Sequence, residues 1–153
     1  MENNNTPYLK FFVMLLVSGI IMYFIMFLNI FQINHYSSSL TRLYMTLLMI
    51  APMAITMLLF MWKMYNNKKR NIVILITSSC VFLVSLFFLR NQVFISDVQW
   101  MKAMIPHHSS AILTSSNAKF ENEKVQKLAT DIIETQKREI DMMKKYINEI
   151  ENQ

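Results

Sequence analysis

The chain has 153 residues, is 54% hydrophobic and carries a formal net charge of +5 at pH 7. Its charge is uneven, because residues 1–95 contain one acidic residue, Glu2, whereas residues 96–153 hold nine acidic residues beside eight Lys or Arg. The basic excess therefore indicates membrane topology rather than nucleic-acid binding, and the single cysteine, Cys80, excludes a disulfide framework within the chain.

Three apolar segments are each long enough for a transmembrane helix, which needs about 20 residues. They cover residues 11–33, 43–62 and 72–89, and none contains a charged residue. We therefore predict a three-span anchor in membrane lipid over residues 1–95, followed by a soluble domain over residues 96–153.

The segment between the second and third spans, KMYNNKKRN, predicts the orientation of the anchor. It carries Lys63, Lys68, Lys69 and Arg70, and the positive-inside rule places such a segment in the cytoplasm. The N-terminus is then cytoplasmic and the C-terminal domain periplasmic or extracellular. In a bacterium this predicts a multi-pass protein of the cytoplasmic (inner) membrane.

The soluble domain is predicted to contain two helices. Ser96 and Gln99 form a capping-box pattern, so the first helix should cover residues 97–116. Residues 117–123 form the turn, and the second helix covers residues 122–150. Apolar residues at steps of three and four predict one buried stripe on the second helix, made of Val125, Leu128, Ile132, Ile140, Met143, Ile147 and Ile150.

The predicted fold class is all-α, with three transmembrane helices followed by an extracytoplasmic two-helix hairpin. A hairpin of this size buries too small a core to be stable alone. We therefore expect it to be half of a bundle that a homodimer or a higher homo-oligomer completes.

The stretch MKAMIPHHSSAI contains two of the three histidines of the chain, His107 and His108. On a regular helix they lie about 100° apart, so they do not easily chelate one ion. Pro106 predicts a kink that brings the two imidazoles closer. Alternatively, each histidine serves a different site. One face of this helix carries the row Asp97, Met101, Met104 and His108.

Folding the hairpin about residues 119–120 predicts which residues face each other. Asp131 then lies opposite His108, about 15 Å along the axis from the methionine pair of the second helix. A second group nearer the membrane is predicted to contain Met101, Met104, Glu139, Met142 and Met143. This arrangement favours two sites, or one site shared between subunits, over a single mononuclear site.

The donor types favour copper. Thioether sulfur suits Cu(I), imidazole suits copper and zinc, and thiols are poorly suited to an oxidising exterior. Cu(I) is therefore preferred over Cu(II), Ag(I) or Zn(II), although Asp131 and Glu134 keep zinc open. The alternative is a helical interaction module in which the histidines are incidental, because methionines at helical spacing commonly fill cores. A di-metal oxidase requires Glu-x-x-His pairs, which are absent, so we predict no enzymatic activity.

The soluble part resembles a known family. DVQWMKAMIPHHSSAI, followed by LATDIIETQKREIDMM, is similar over residues 96–148 to the bacterial family called domain of unknown function 305, in a subgroup with an N-terminal three-span anchor. The matching residues are Asp97, Met104, His107, His108, Ala111, Ile112, Leu128, Ala129, Ile132, Ile133, Gln136, Glu139, Ile140 and Met143. The resemblance implies a ferritin-like helical arrangement and extracytoplasmic copper binding.

The sequence thus predicts a membrane-anchored copper-binding protein that buffers copper, or hands it to an exporter or metallochaperone, in metal homeostasis or resistance. The predicted metal ligands are His107, His108, Met104, Met101, Met143, Met142, Glu139 and Asp97. His35, in the external loop, is a further possible ligand. A row of methionines recurs every four residues along the second span and is either a Cu(I) track or packing, namely Met45, Met49, Met53, Met57 and Met61.

Overall fold

The computed structural model describes residues 6–152 and is all-helical over that range, with no β-strand. Its five α-helices are α1 Thr6–Ile25, α2 Leu40–Phe60, α3 Lys68–Asn91, α4 Asp97–Asn117 and α5 Glu123–Glu151. Short 3-10 turns lie at Ile33–His35 and Trp62–Met64. Residues 1–5 and 153, which the predicted ranges 1–95 and 96–153 include, lie outside the described residues.

The chain divides into two compact units. The first combines the chain up to Ile25 with Arg42–Phe94, and the second combines Met26–Thr41 with the chain from Ile95 onwards. The connection between α1 and α2 therefore packs with α4 and α5, although the sequence assigns it to the membrane anchor.

Helices α1, α2 and α3 are each long and apolar enough to cross a membrane. The first predicted span is too long, because α1 ends at Ile25 while the apolar run continues to residue 33. Beyond α1, the Phe31 amide donates to Ser109 Oγ at 2.7 Å and Asn29 Nδ2 donates to Ser110 Oγ at 3.0 Å. These hydrogen bonds to α4, which is distant in the sequence, take the place of the bonds that a longer α1 would make. A hydropathy pattern does not reveal them.

The first unit contains a buried polar link within its apolar core. The Tyr8 hydroxyl donates to Asn71 Oδ1 at 2.8 Å, and Asn71 Nδ2 donates to the Tyr65 carbonyl at 2.8 Å. Asn71 has no exposed surface, and Phe11 and Leu58 are equally buried nearby. Its amide hydrogen bonds join the start of α1 to the α2–α3 connection and offset the cost of burying a polar side chain.

Both helices of the second unit begin directly after a capping residue, Ser96 for α4 and Asn122 for α5. Ser96 Oγ accepts from the Gln99 amide at 3.4 Å, and Asn122 Oδ1 accepts from the Lys124 amide at 2.9 Å. The Gln99 side chain does not complete the predicted capping box. Its Oε1 instead accepts from the Leu40 amide at 3.0 Å, where it caps the first turn of α2.

Helices α4 and α5 pack on each other in opposite chain directions. Their shared core contains Met101, Ile105, Ile112, Ile140, Met143 and Ile147, with Val98, Met104 and Ile133 packed against it. The predicted stripe on α5 is wrong at both ends, since Val125, Leu128 and Ile150 are about half exposed.

The predicted register of the two helices is also wrong, because His108 faces Glu139 rather than Asp131. Ala118 and Asn122 have extended backbone angles, so the connection between the helices carries the chain past the end of α4 before α5 begins. Leu128 therefore lies near the N-terminal end of α5, beyond the end of α4, where it remains exposed.

Candidate metal centre

The central polar contact between α4 and α5 is made by His108 and Glu139. His108 Nε2 lies 2.8 Å from Glu139 Oε2, and His108 Nδ1 lies 3.0 Å from the Met104 carbonyl oxygen one turn earlier on α4. The His108 side chain has only 11% of its surface exposed, against 38% for Glu139. Both ring nitrogens are thus engaged in a largely enclosed position.

The two hydrogen-bond partners of His108 determine which ring nitrogen holds a hydrogen. A carbonyl oxygen only accepts hydrogen bonds, so Nδ1 holds a hydrogen and donates to Met104. In the neutral ring, Nε2 then keeps its lone pair. Nε2 and Glu139 Oε2 are 2.8 Å apart, which is a hydrogen-bond distance, so a hydrogen lies between the two atoms. A histidine held through Nδ1 by a backbone carbonyl is an arrangement that proteins use to aim Nε2 at a metal.

Thioether groups lie one helical turn from this pair on both helices. Met104 precedes His108 by four residues, and Met142 and Met143 follow Glu139 by three and four. Because of the corrected register, these methionines lie about 5 Å along the axis from His108 and not about 15 Å away. The predicted separation of the histidine from the second-helix methionines is therefore wrong.

The methionines differ in their surroundings. Met101 and Met143 are only 6% and 7% exposed and belong to the shared apolar core, whereas Met142 is 40% exposed. Met104 is half-buried and packs against the same core. The buried pair fills space between the helices, while Met142 projects from the outer surface of α5.

The structure does not bring all eight predicted ligands together. Asp97 and His107 are exposed, and the ring centroids of His107 and His108 lie 6.2 Å apart with an interplanar angle of 69°. Helix α4 continues through Pro106. Over residues 6–152, no three side chains of His, Cys, Asp or Glu are grouped so that they could hold a metal ion. The arrangement is a His108–Glu139 pair with neighbouring thioethers.

His35 reaches α4, but on a different face from His108. Its Nδ1 lies 2.8 Å from Ser109 Oγ, which also accepts from the Phe31 amide. Ser109 is about 100° round the helix from His108, so His35 does not join the His108–Glu139 pair. His35 lines a cleft of about 310 Å³ together with Phe31, Gln32, Lys137 and Asp141.

The surroundings of His35 favour its neutral form. Burial, followed by the positive charge of Lys144, lowers the pKa of His35 below its ordinary value of 6.5, and Asp141 opposes this in part. A protonated His35 would carry its charge into a site that is only 7% exposed.

The lowered pKa of His35 predicts that acid weakens the fold. Between pH 6.5 and the lower folded-state pKa, the unfolded chain binds a proton that the folded chain does not, so stability falls as pH falls. Above that range both states are neutral and the effect vanishes. The loss is bounded by about 1.4 kcal/mol per pH unit for one proton. Thermal unfolding of the full chain at pH 7.5 and 5.5 checks this, and His35→Gln is expected to show a smaller drop.

The methionine row of α2 lies largely against the core of the first unit. Met53, Met57 and Met61 pack against the cluster that contains Phe11 and Leu58. Met45 and Met49 are 41% and 39% exposed. Packing thus accounts for three of the five members.

Sequence reasoning missed the polar residues that hold the α1–α2 connection to α4. Ser109 is completely buried and is a partner of both His35 and Phe31. Its sequence signal is weak, because a serine one residue after a histidine pair also suits an exposed helix surface. A polar residue on the apolar face between Ile105 and Ile112 was the available sign.

The helices and the His108–Glu139 contact define a class of small all-helical proteins. Three of the helices are apolar enough to cross a membrane, and a histidine–glutamate pair joins the last two. Residues 96–153 match the family model described as Domain of unknown function (DUF305). The chain is also 34% identical over 112 residues to an uncharacterized protein of Acanthamoeba polyphaga mimivirus, with 72% of each chain covered. It therefore belongs to the family called domain of unknown function 305.

No solved structure matches the chain. Since the mimivirus protein is viral, the comparisons give no support to the bacterial source that the sequence resemblance implied.

Proposed function

We propose that this protein is a membrane-anchored copper-binding protein that buffers Cu(I), or hands it to an exporter or a metallochaperone, without enzymatic activity. The observation that carries the proposal is the orientation of His108. Its Nδ1 is held by the Met104 carbonyl, so that Nε2 is aimed at Glu139. A cation at Nε2 takes the place of the proton that this geometry requires.

The donor set suits copper better than zinc. Thioether and imidazole groups bind Cu(I), whereas zinc prefers imidazole with carboxylate or thiolate. His108 on α4 and Met142 on α5 are the proposed imidazole and thioether ligands, and Met104 lies one turn before His108. Glu139 would offset the positive charge of the ion and orient the imidazole. Met101 and Met143 are proposed to support the site as packing.

The proposed location is the external side of a membrane. The basic residues Lys63, Lys68, Lys69 and Arg70 fall in and just after the α2–α3 connection, which the positive-inside rule assigns to the cytoplasm. The second unit then lies on the opposite side of the membrane. Such a compartment is oxidising, which favours thioether ligands over thiols. For a cellular host this is the periplasmic or extracellular face.

The second candidate function is a helical interaction module with incidental histidines. It is favoured by the half-exposed apolar residues on α5, such as Leu128 and Tyr146. Surfaces of this kind commonly bind another protein. This candidate predicts that the chain binds its partner equally well with and without copper.

The test is a competition titration of the full-length chain in detergent micelles. Cu(I) under reducing, oxygen-free conditions, Cu(II) and Zn(II) would each compete against a chromophoric chelator of known affinity. We expect Cu(I) to bind with a Kd of about 1 μM or lower, roughly −8 kcal/mol or stronger. Binding no tighter than about 1 mM for all three ions would reject copper binding and favour the interaction module.

A further inference from the structure

The two sides of the α4–α5 pair differ in what covers them. On one side, the connection between α1 and α2 lies against α4 through Asn29, Phe31 and His35. On the other side lies the His108–Glu139 pair, and large apolar side chains occur along the same side of both helices. The half-exposed residues of that side are Trp100 at 49%, Leu128 at 57%, Met142 at 40%, Tyr146 at 49% and Ile150 at 46%.

Helical geometry places these residues on one continuous surface, which we call the open face. Met104 lies one turn before His108 on α4, and Trp100 lies one turn before Met104. On α5, Met142 follows Glu139 by three residues and Tyr146 follows Met142 by four. Because His108 and Glu139 join the two helices at this surface, both rows flank the same contact.

The charges of α5 suit a face that is buried in a complex. Within the open face, Glu139 is the charged residue of α5 and is already bonded to His108. The neighbouring faces of α5 carry Asp131, Arg138, Lys145 and Glu149 as a polar border. An apolar centre with a polar rim is the usual composition of a protein interface.

The metal site itself indicates which partner covers this face. One chain offers a single His–Glu pair, and residues 6–152 hold no group of three His, Cys, Asp or Glu side chains able to bind an ion. Two copies related by a two-fold axis present the same patch to each other. A two-fold axis that passes beside the His108–Glu139 pair therefore brings together two copies of each metal-binding group on the open face. Two copies anchored in one membrane also meet at a raised effective concentration.

We propose that the open face is a homodimer interface and that one copper ion is shared across it. The ligands are His108 Nε2 and the Met142 thioether of each copy, which gives two nitrogen and two sulfur donors for Cu(I). This also gives a role to Met142, whose side chain is 40% exposed within its own chain. The choice of a second copy and the shared site both rest on the copper binding proposed above, whereas the mass measurement tests the dimer separately from copper.

The test measures mass and copper content of the full-length chain in detergent micelles. We expect a dimer that binds one Cu(I) per two chains. Tyr146→Glu places a charge in the open face and is expected to give monomers with at least tenfold weaker Cu(I) binding. Lys145→Glu adds negative charge at the adjacent exposed position and is expected to remain dimeric with full affinity. Met142→Leu keeps the face apolar, so the dimer should persist while Cu(I) affinity falls about tenfold.

The outcomes separate the dimer from the copper function. A wild-type monomer that binds one Cu(I) per chain overturns the shared site and leaves the copper function intact. A dimer that Tyr146→Glu dissociates, but that binds no copper, supports the interface and overturns the shared site. A dimer that survives Tyr146→Glu overturns the proposed face. A monomer in which brominated lipid quenches Trp100, tested in a Trp62→Phe background, also overturns it and assigns the face to the lipid surface.

Discussion

Replacing His108 by alanine is expected to weaken Cu(I) binding by the full-length chain about 100-fold or more. Changing a residue that only orients a metal ligand typically costs 10- to 100-fold in affinity, so losing the imidazole itself should reach or exceed the upper end. The competition titration with Cu(I) measures the effect directly. Glu139→Gln keeps the shape of the partner but removes its charge, and it is expected to cost about tenfold.

The matched control for His108 is its neighbour. His107 is exposed and shares neither of the two bonds made by His108, so His107→Ala is expected to leave Cu(I) affinity unchanged. Equal losses in His107→Ala and His108→Ala would contradict the proposed site and favour joint chelation by both histidines. Unchanged Cu(I) affinity in both variants would exclude both histidines as copper ligands.

The His108→Ala substitution is also expected to lower the stability of the fold. The experiment therefore has to separate lost stability from lost Cu(I) binding. Removing the ring leaves the half-buried Glu139 carboxylate and the Met104 carbonyl without this partner, at a cost of about 1–3 kcal/mol. Helix content measured by circular dichroism shows whether the variant is folded at the temperature of the titration. A folded variant with lost affinity assigns the effect to the missing ligand.

Local signals in the sequence predicted the helices of the second unit well. Ser96 and Asn122 cap α4 and α5 because their short side chains accept from amides that a helix start leaves free. These are interactions over two or three residues, so the sequence contains all the information they need. The predicted helix over residues 97–116 accordingly matches Asp97–Asn117.

Non-local contacts account for what the sequence did not predict. The pairing of His108 with Glu139 depends on the path of residues 118–122, because an extended connection shifts one helix along the other. Counting residues from the turn assumes a compact connection and therefore selected Asp131. The early end of α1 likewise depends on bonds to Ser109 and Ser110, about 80 residues away.

The structure brings together only some of the residues that the sequence predicts as ligands. His108, Glu139 and Met104 lie next to each other, and their metal binding stays a prediction. The division of Met142 and Met143 into exposed and buried was visible in the sequence, because the buried stripe predicted on the second helix includes Met143 and leaves out Met142. Met142 and Met143 are adjacent in the chain, yet their exposed fractions are 40% and 7%.

Met143 is expected to act in packing rather than in metal binding, and truncating it should strongly destabilise the second unit. Met143→Ala removes a buried side chain from the core that also contains Ile140 and Ile147, and such a cavity costs about 2–5 kcal/mol. Met143→Leu nearly conserves the volume and should cost less than about 1.5 kcal/mol. Denaturant unfolding of the full-length chain, followed by circular dichroism, compares the two variants.

Cu(I) affinity then distinguishes a core methionine from a ligand, because leucine can replace a thioether in packing but not in coordination. Met143→Leu is expected to keep the wild-type affinity, whereas Met142→Leu, which removes a proposed ligand, should lose about tenfold. A stable Met143→Leu protein with weakened Cu(I) binding would contradict the packing role and place this sulfur among the ligands. In that case copper would bind between α4 and α5 within one chain, and the ligand set proposed for the open face would be wrong.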